Sequence, residues 1–360
     1  MSSDKSGGDR FSGPTALNRK HVLRLMGAAT LAGLAPGRQA LAETAIGPQT
    51  RTALASGVLR TPDTAFAGLE GYPYAPNYRS VRHPALGELA LHYLDVGPRD
   101  ASPVVLLHGQ PSWSYLYRKV IVRLLAAGHR VIAPDMIGYG RSDKPAARSD
   151  YSYQLHLDWL TEFLSGLGGN LTLVVHDWGG LLGLRIAAEN PGLFVRLVVL
   201  DTSLNDGTDR ESPQFTAGFD RWLKILEHAP ELRFSAVIEA QTETTLTPGA
   251  LAGYDAPFPD RSYQTGARVM SSFIPRTPDM AQARENGLAR ARLRDWQTPV
   301  LIAFSEGSAR THPGQHALLS GLFPASRIWR DATIAGAHHF LPEDRGEDVG
   351  DLIATFCAAT

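Results

Sequence analysis

Leu171-Thr172-Leu173-Val174-Val175-His176-Asp177-Trp178-Gly179-Gly180 runs from a β-branched apolar segment into a pair of glycines, and a helical stretch, Leu181–Glu189, follows at once. A strand, tight turn and helix in that order expose one side chain at the apex. Glycines directly afterwards let the helix approach the neighbouring strand. The apex residue is Asp177. A carboxylate there attacks carbon directly and forms an ester, with no prior proton transfer to a base. Asp is also a good helix N-cap, so the turn taken alone leaves a structural role open.

Working outward, short apolar runs alternate with longer amphipathic ones: strands at Leu89–Val96, Val104–Leu107, Arg130–Ala133 and Val195–Leu200, and helices at Tyr117–Ala127 and Leu155–Leu167. That alternation is what a mostly parallel sheet with helices on both faces requires. The rhythm then stops. Residues 205–290 hold no buried-strand run, and their aromatics are spread among Pro, Gly and charge, as in an inserted helical cap. Strands resume at Val300–Phe304 and Arg327–Ala332, and a helix over Arg345–Cys357 closes the chain. A cleft is expected beneath the insertion.

The first segment reads as an address. Arg19-Lys20 precedes the small apolar run Leu25–Ala35, and Ala40-Leu41-Ala42 offers the small residues a signal peptidase accepts. The run is too short for a transmembrane helix, which needs about 20 residues. Arg19-Lys20 resembles a variant twin-arginine export signal, so the periplasm or cell envelope is expected, with the cytoplasm as alternative. The expected organisation is 1–42 as export signal, 43–201 as the first part of an α/β core, 202–290 as the cap and 291–360 as the remainder of the core.

Lys+Arg number 35 against 36 Asp+Glu, a formal net charge of -1, so no broad field draws nucleic acid or an anionic membrane to the chain. The single Cys357 excludes an intramolecular disulfide and a Cys-rich metal site. It reads as a buried structural thiol. No metal and no organic cofactor is expected.

Three further pieces surround Asp177. His108-Gly109-Gln110-Pro111 ends a preceding strand, where the Gln110 main-chain N–H, with that of Trp178, is expected to stabilise an oxyanion; His108 itself reads as structural. Ala337-His338-His339-Phe340 follows the last strand, where His339 is placed to activate water and His338 to pack or bond to backbone. A carboxylate partner for His339 has two candidates, each after a strand: Glu306, the first choice, and Asp201. The indoles of Trp178 and of Trp222, within the cap, are suited to hold a departing halide in an apolar pocket.

With Gly71-Tyr72-Pro73-Tyr74, Ser112–Arg118, Pro134–Pro145 and Ala256-Pro257-Phe258-Pro259-Asp260 added, the sequence resembles the haloalkane dehalogenases of the α/β-hydrolase superfamily over about residues 65–357. The likeness is to the subfamily whose second halide ligand is a cap tryptophan. It implies an α/β-hydrolase fold with a helical cap after the sixth strand, Asp177 as nucleophile, His339 as base, and Trp178 with Trp222 as halide clamp. The expected partners are a small apolar halogenated substrate, water and halide. Departures from the family are Gln110 at a site often Glu or Asn, Glu306 where this subfamily usually has Asp, and Asp201 where another subfamily carries its acid. Epoxide hydrolysis, which needs hydroxyls such as those of Tyr254 or Tyr263 above the nucleophile, is the alternative. A noncatalytic binding protein of the same fold is a more distant one.

Overall fold

The computed structural model describes residues 54–311 and 313–360, so the expected export signal lies outside the described residues. Eight strands form one sheet: β1 (Asn77–His83), β2 (Gly87–Val96), β3 (Pro103–Leu107), β4 (Arg130–Pro134), β5 (Leu171–His176), β6 (Phe194–Leu200), β7 (Val300–Ser305) and β8 (Ile328–Ile334). Their spatial order is β8-β7-β6-β5-β3-β4-β2-β1. The two hairpin-like pairings, β1 with β2 and β2 with β4, are antiparallel, and all others are parallel. Every residue of β3, β5 and β7 is buried, which is why these strands are continuous apolar runs.

Strand β1 was not expected from the sequence. Asn77-Tyr78-Arg79-Ser80-Val81-Arg82-His83 is polar at most positions because it forms the sheet's edge and buries only Val81 and His83. The other boundaries differ from the expected ones by one to three residues, the helix after Asp177 beginning at Trp178 rather than Leu181.

Helices α1 (Arg118–Ala126), α2 (Tyr153–Ser165) and α3 (Trp178–Glu189) connect the first strands. Between β6 and β7 lies the helical cap, with α4 (Pro213–His228), α5 (Phe234–Glu239), α6 (Pro248–Asp255), α7 (Thr265–Val269) and α8 (Ala283–Leu293). Helices α4 and α6 begin alike: Ser212 and Thr247 accept the N–H three residues on, and proline stands in the first turn, where its missing N–H costs nothing.

A buried ion pair of the core receives a hydrogen bond from the cap. Arg118 at the start of α1 donates to both carboxylate oxygens of Glu343, at 2.5 and 2.8 Å, and Tyr254 on α6 donates its hydroxyl to the same group at 2.5 Å. Burial raises the Glu343 carboxyl, but the guanidinium outweighs it and holds the group below its ordinary value. Cys357 is half-buried, and burial pushes its thiol up. Among the described residues no helix is long and apolar enough to cross a membrane, and no cluster of metal-ligating side chains occurs.

Candidate active site

The parallel register brings the C-terminal ends of β3, β5, β6 and β7 to one rim: Leu107 stands beside Val175, His176 beside Leu200, and Leu200 beside Ala303. The next residues of these strands are therefore gathered beneath the cap.

Asp177 joins β5 to α3 with φ 50° and ψ -122°, a conformation that costs a residue with a Cβ about 1–3 kcal/mol. Two residues after the neighbouring strand hold it there. The Asp177 N–H donates to the Asp201 carbonyl at 3.2 Å, and the Thr202 hydroxyl donates to the Asp177 carbonyl at 2.6 Å. Gly179 is required by the turn, since a Cβ there would lie 2.2 Å from the Leu107 carbonyl oxygen.

The two carboxylate oxygens of Asp177 have different surroundings. Oδ1 accepts the Gln110 main-chain N–H at 2.7 Å, and the Trp178 N–H also donates to this carboxyl. Oδ2 faces His339 Nε2 at 3.4 Å, and each of these two side chains is 22% exposed, enough to meet a molecule in the cavity. Burial alone would raise the Asp177 carboxyl; the hydrogen bond and charge of His339 outweigh it and hold the group below its ordinary value. Burial alone would lower His339, and the Asp177 carboxylate, helped by Asp201, raises it instead.

His339 is fixed from behind. His176 Nε2–H donates to the His339 carbonyl at 2.6 Å, with the rings 4.9 Å apart. Burial pushes the His176 ring down to about 3, so it is neutral near pH 7 and keeps its proton on Nε2. His338 Nδ1 accepts the His339 N–H at 2.8 Å, a backbone role. His108 is also structural: its Nε2 accepts the Met136 N–H at 3.0 Å, which leaves Nδ1–H to donate to the Gly109 carbonyl.

The two candidate acids are placed differently. Glu306 is 48% exposed and pairs with Arg310 at 3.6 Å, while its Oε2 accepts the Gly336 N–H at 3.2 Å; it does not line the cavity. Asp201 is 2% exposed and does line it. Its Oδ1 accepts the Ser305 N–H at 2.8 Å, its Oδ2 accepts the Ser305 hydroxyl, and Ser308 also hydrogen-bonds to it. Burial pushes the Asp201 carboxyl up, against the pull of His339 and these serines. Neither serine was singled out from the sequence, although Ser305 directly precedes Glu306 and Ser308 follows it by two residues.

Asp177, Trp178, Asp201, Trp222, Gln110 and His339 all line one cavity of about 920 Å³. Leu181, Phe215, Phe219, Val237, Ile274 and Met280 supply its apolar wall. The Trp222 indole N–H donates to Ser271 Oγ at 3.1 Å. No tyrosine contributes to the wall: Tyr254 is buried with its hydroxyl on Glu343, and Tyr263 lies elsewhere in the cap. Neither of these tyrosines lines the cavity above Asp177.

A parallel-sheet core with a carboxylate at the strand-to-helix elbow, a histidine against it and a helical lid defines an α/β-hydrolase. Residues 102–345 match the family model for the alpha/beta hydrolase fold. The haloalkane dehalogenase of Psychrobacter cryohalolentis is 44% identical over 300 residues, 83% of this chain and 97% of that protein. The haloalkane dehalogenase of Mycolicibacterium paratuberculosis is 41% identical, over 83% of this chain and 98% of that protein. Among solved structures, the tetrameric haloalkane dehalogenase of Paraglaciecola agarilytica NO2 superposes with a TM-score of 0.72 at 30% identity, covering 82% of this chain and 97% of the other. The chain belongs to the haloalkane dehalogenase family within the α/β-hydrolase superfamily.

Proposed function

We propose that this chain hydrolyses carbon–halogen bonds of small haloalkanes through an ester on Asp177, and that Asp201 is the acid that supports His339. One observation carries the reading. The Asp177 carboxylate has one oxygen held by the Gln110 N–H and the other facing His339 in an apolar cavity.

Oδ2, the less encumbered oxygen, attacks the halogen-bearing carbon in line. The C–O bond forms as the C–X bond breaks, and halide leaves toward the indoles of Trp178 and Trp222. Esterification removes the negative charge that holds the His339 pKa up, so the ring becomes a neutral base when a base is needed. It takes a proton from water, whose oxygen attacks the ester carbonyl carbon. The Gln110 and Trp178 N–H groups stabilise the resulting oxyanion. Collapse expels the alcohol and restores the carboxylate, so each turnover consumes one water and yields alcohol, halide and a proton.

A single turnover of 1-bromobutane in water labelled with heavy oxygen tests the ester. The first alcohol carries oxygen from Asp177 and the label appears in the carboxylate; label in that first alcohol would mean direct attack by water. Asp177→Asn, assayed at short times before deamidation, is expected to lower bromide release by roughly four orders of magnitude or more. Styrene oxide, run in parallel, gives no Asp177-dependent diol on this reading.

The proposed compartment is the periplasm or cell envelope, supported by Arg19-Lys20, the apolar run Leu25–Ala35 and Ala40-Leu41-Ala42. Fractionation of the native cells with N-terminal sequencing checks it; a cytoplasmic protein beginning at Met1 would refute it.

A further inference from the structure

Ser271 follows α7 in the cap, is 3% exposed and forms part of the cavity wall. Its oxygen lies 3.1 Å from Trp222 Nε1 and 2.5 Å from Gln110 Oε1. The chemistry of the partners sets the direction of each bond. An indole N–H only donates, so Ser271 accepts from Trp222. At the far end, Gln110 bonds to the Ala267 carbonyl at 2.5 Å. A carbonyl only accepts, so the amide nitrogen is there and the amide oxygen faces Ser271. The serine's single proton is thereby committed to Gln110, and its hydroxyl has only lone-pair density left to offer.

This arrangement is unfavourable for an anion beside Ser271, and it occupies one of the two indole donors. The Trp178 indole N–H, by contrast, has no protein acceptor among the described residues, although its ring is 1% exposed and borders the cavity. We propose that Ser271 is a positioning residue that competes with halide for the Trp222 N–H, and so sets how tightly the leaving ion is held and how fast it departs. The inference rests on the halide roles assigned above to Trp178 and Trp222. A halide at Trp178 gains its second indole only by drawing Trp222 off the serine. When the ion leaves, Trp222 returns to Ser271, and its own N–H is not left unsatisfied. The same hydroxyl keeps the Gln110 side chain on the cap while its main-chain N–H stays on Asp177.

Bromide affinity by calorimetry and bromide release after a single turnover of 1-bromobutane test this in the full chain. Ser271→Ala is expected to bind bromide about three- to tenfold more tightly, the range a competing hydrogen bond commands, and to release it more slowly by a similar factor. Ser271→Cys, of similar size and a weak acceptor, shifts both in the same direction by less, and provides the reading if the alanine variant misfolds. Ser271→Thr restores the wild-type affinity. Unchanged or weaker bromide binding in folded Ser271→Ala overturns the competition, weaker binding marking the serine as a donor. Trp222→Phe separates the two ideas: bromide affinity unchanged there refutes the halide role of Trp222 itself, whereas a loss there with no gain in Ser271→Ala refutes only the role of the serine.

Discussion

At the tips of β6 and β7 two neighbouring parallel strands each carry a carboxylate within a residue of their ends, and the two groups meet opposite fates. Asp201 turns into the cavity with φ 26°, in the left-handed region, as Asp177 does one strand further on. Glu306 instead opens a short helix, Glu306–Thr311, and directs its carboxylate to Arg310 and solvent. Strand topology brings both Cα atoms to one rim; the turn that follows, and the donors waiting there, decide which carboxylate lines the cavity that holds His339. Ser305, the last residue of β7, is such a donor. By giving Asp201 both its N–H and its hydroxyl, it makes the end of β7 a support for the carboxylate on β6.

The comparison breaks most visibly at Asp201. In Asp201→Asn the charge that helps raise His339 is lost, and with it stabilisation of the imidazolium formed as water attacks. Turnover is expected to fall by roughly two to four orders of magnitude, with the loss confined to ester hydrolysis. Rapid-quench measurement should then show a burst of one bromide per enzyme followed by near-arrest. Steady turnover close to wild type would remove Asp201 from the mechanism.

Ser305→Ala is the next smaller effect. It deletes one hydrogen bond to a buried carboxylate, an interaction worth about 1.5–3 kcal/mol, and leaves the Ser305 N–H in place. The bond favours the charged form of Asp201, so its loss raises that pKa further. The acid limb of the ester-hydrolysis profile therefore moves to higher pH, and kcat at neutral pH drops about tenfold. A stopped-flow pH profile of wild type and variant reads the shift; movement toward lower pH would contradict the assignment.

His339 sharpens the contrast by another route, through a difference between two states of one enzyme. In the free protein the Asp177 carboxylate holds the ring above its ordinary value. In the ester that charge is absent. The ring should therefore titrate at higher pH in the free enzyme, followed by NMR, than in the ester, followed by the acid limb of single-turnover hydrolysis. Asp177→Asn should move the NMR titration downward in the same way.

The parts legible in the sequence are those that strand ends determine. Asp177 and Gln110 come after buried apolar runs and His339 after the partly exposed last strand, and the parallel sheet delivers the loops that follow these strands to one edge. β1 escaped because an edge strand needs few apolar residues, its stability coming from the seven-residue backbone pairing with β2. The order of preference between Glu306 and Asp201 is not legible, because a position after a strand says nothing of φ, nor of Ser305, 104 residues on, whose N–H and hydroxyl bond to Asp201. Ser271 left no trace for the same reason at greater range: its bond to Gln110 spans 161 residues, and Met270-Ser271-Ser272 has no pattern marking it as different from any other cap turn.

The smallest effect belongs to Glu306, and it is the most discriminating. Glu306→Gln keeps the shape and the acceptor for the Gly336 N–H while removing the charge that faces Arg310. An exposed pair of this kind contributes at most about 1 kcal/mol, so unfolding midpoints should shift little. Turnover should remain within about twofold of wild type, because no charge near His339 has changed. If Glu306→Gln instead reproduced the burst and arrest expected of Asp201→Asn, the helix at Glu306 would have to unwind during catalysis to bring its carboxylate inward, and the direction of the β7 turn in the resting protein would not be its working direction. A double variant, Asp201→Asn with Glu306→Gln, closes the argument: if Glu306 stands in for the missing acid, the double falls well below the Asp201 single variant, and if the β7 tip serves only as support, the two are equal.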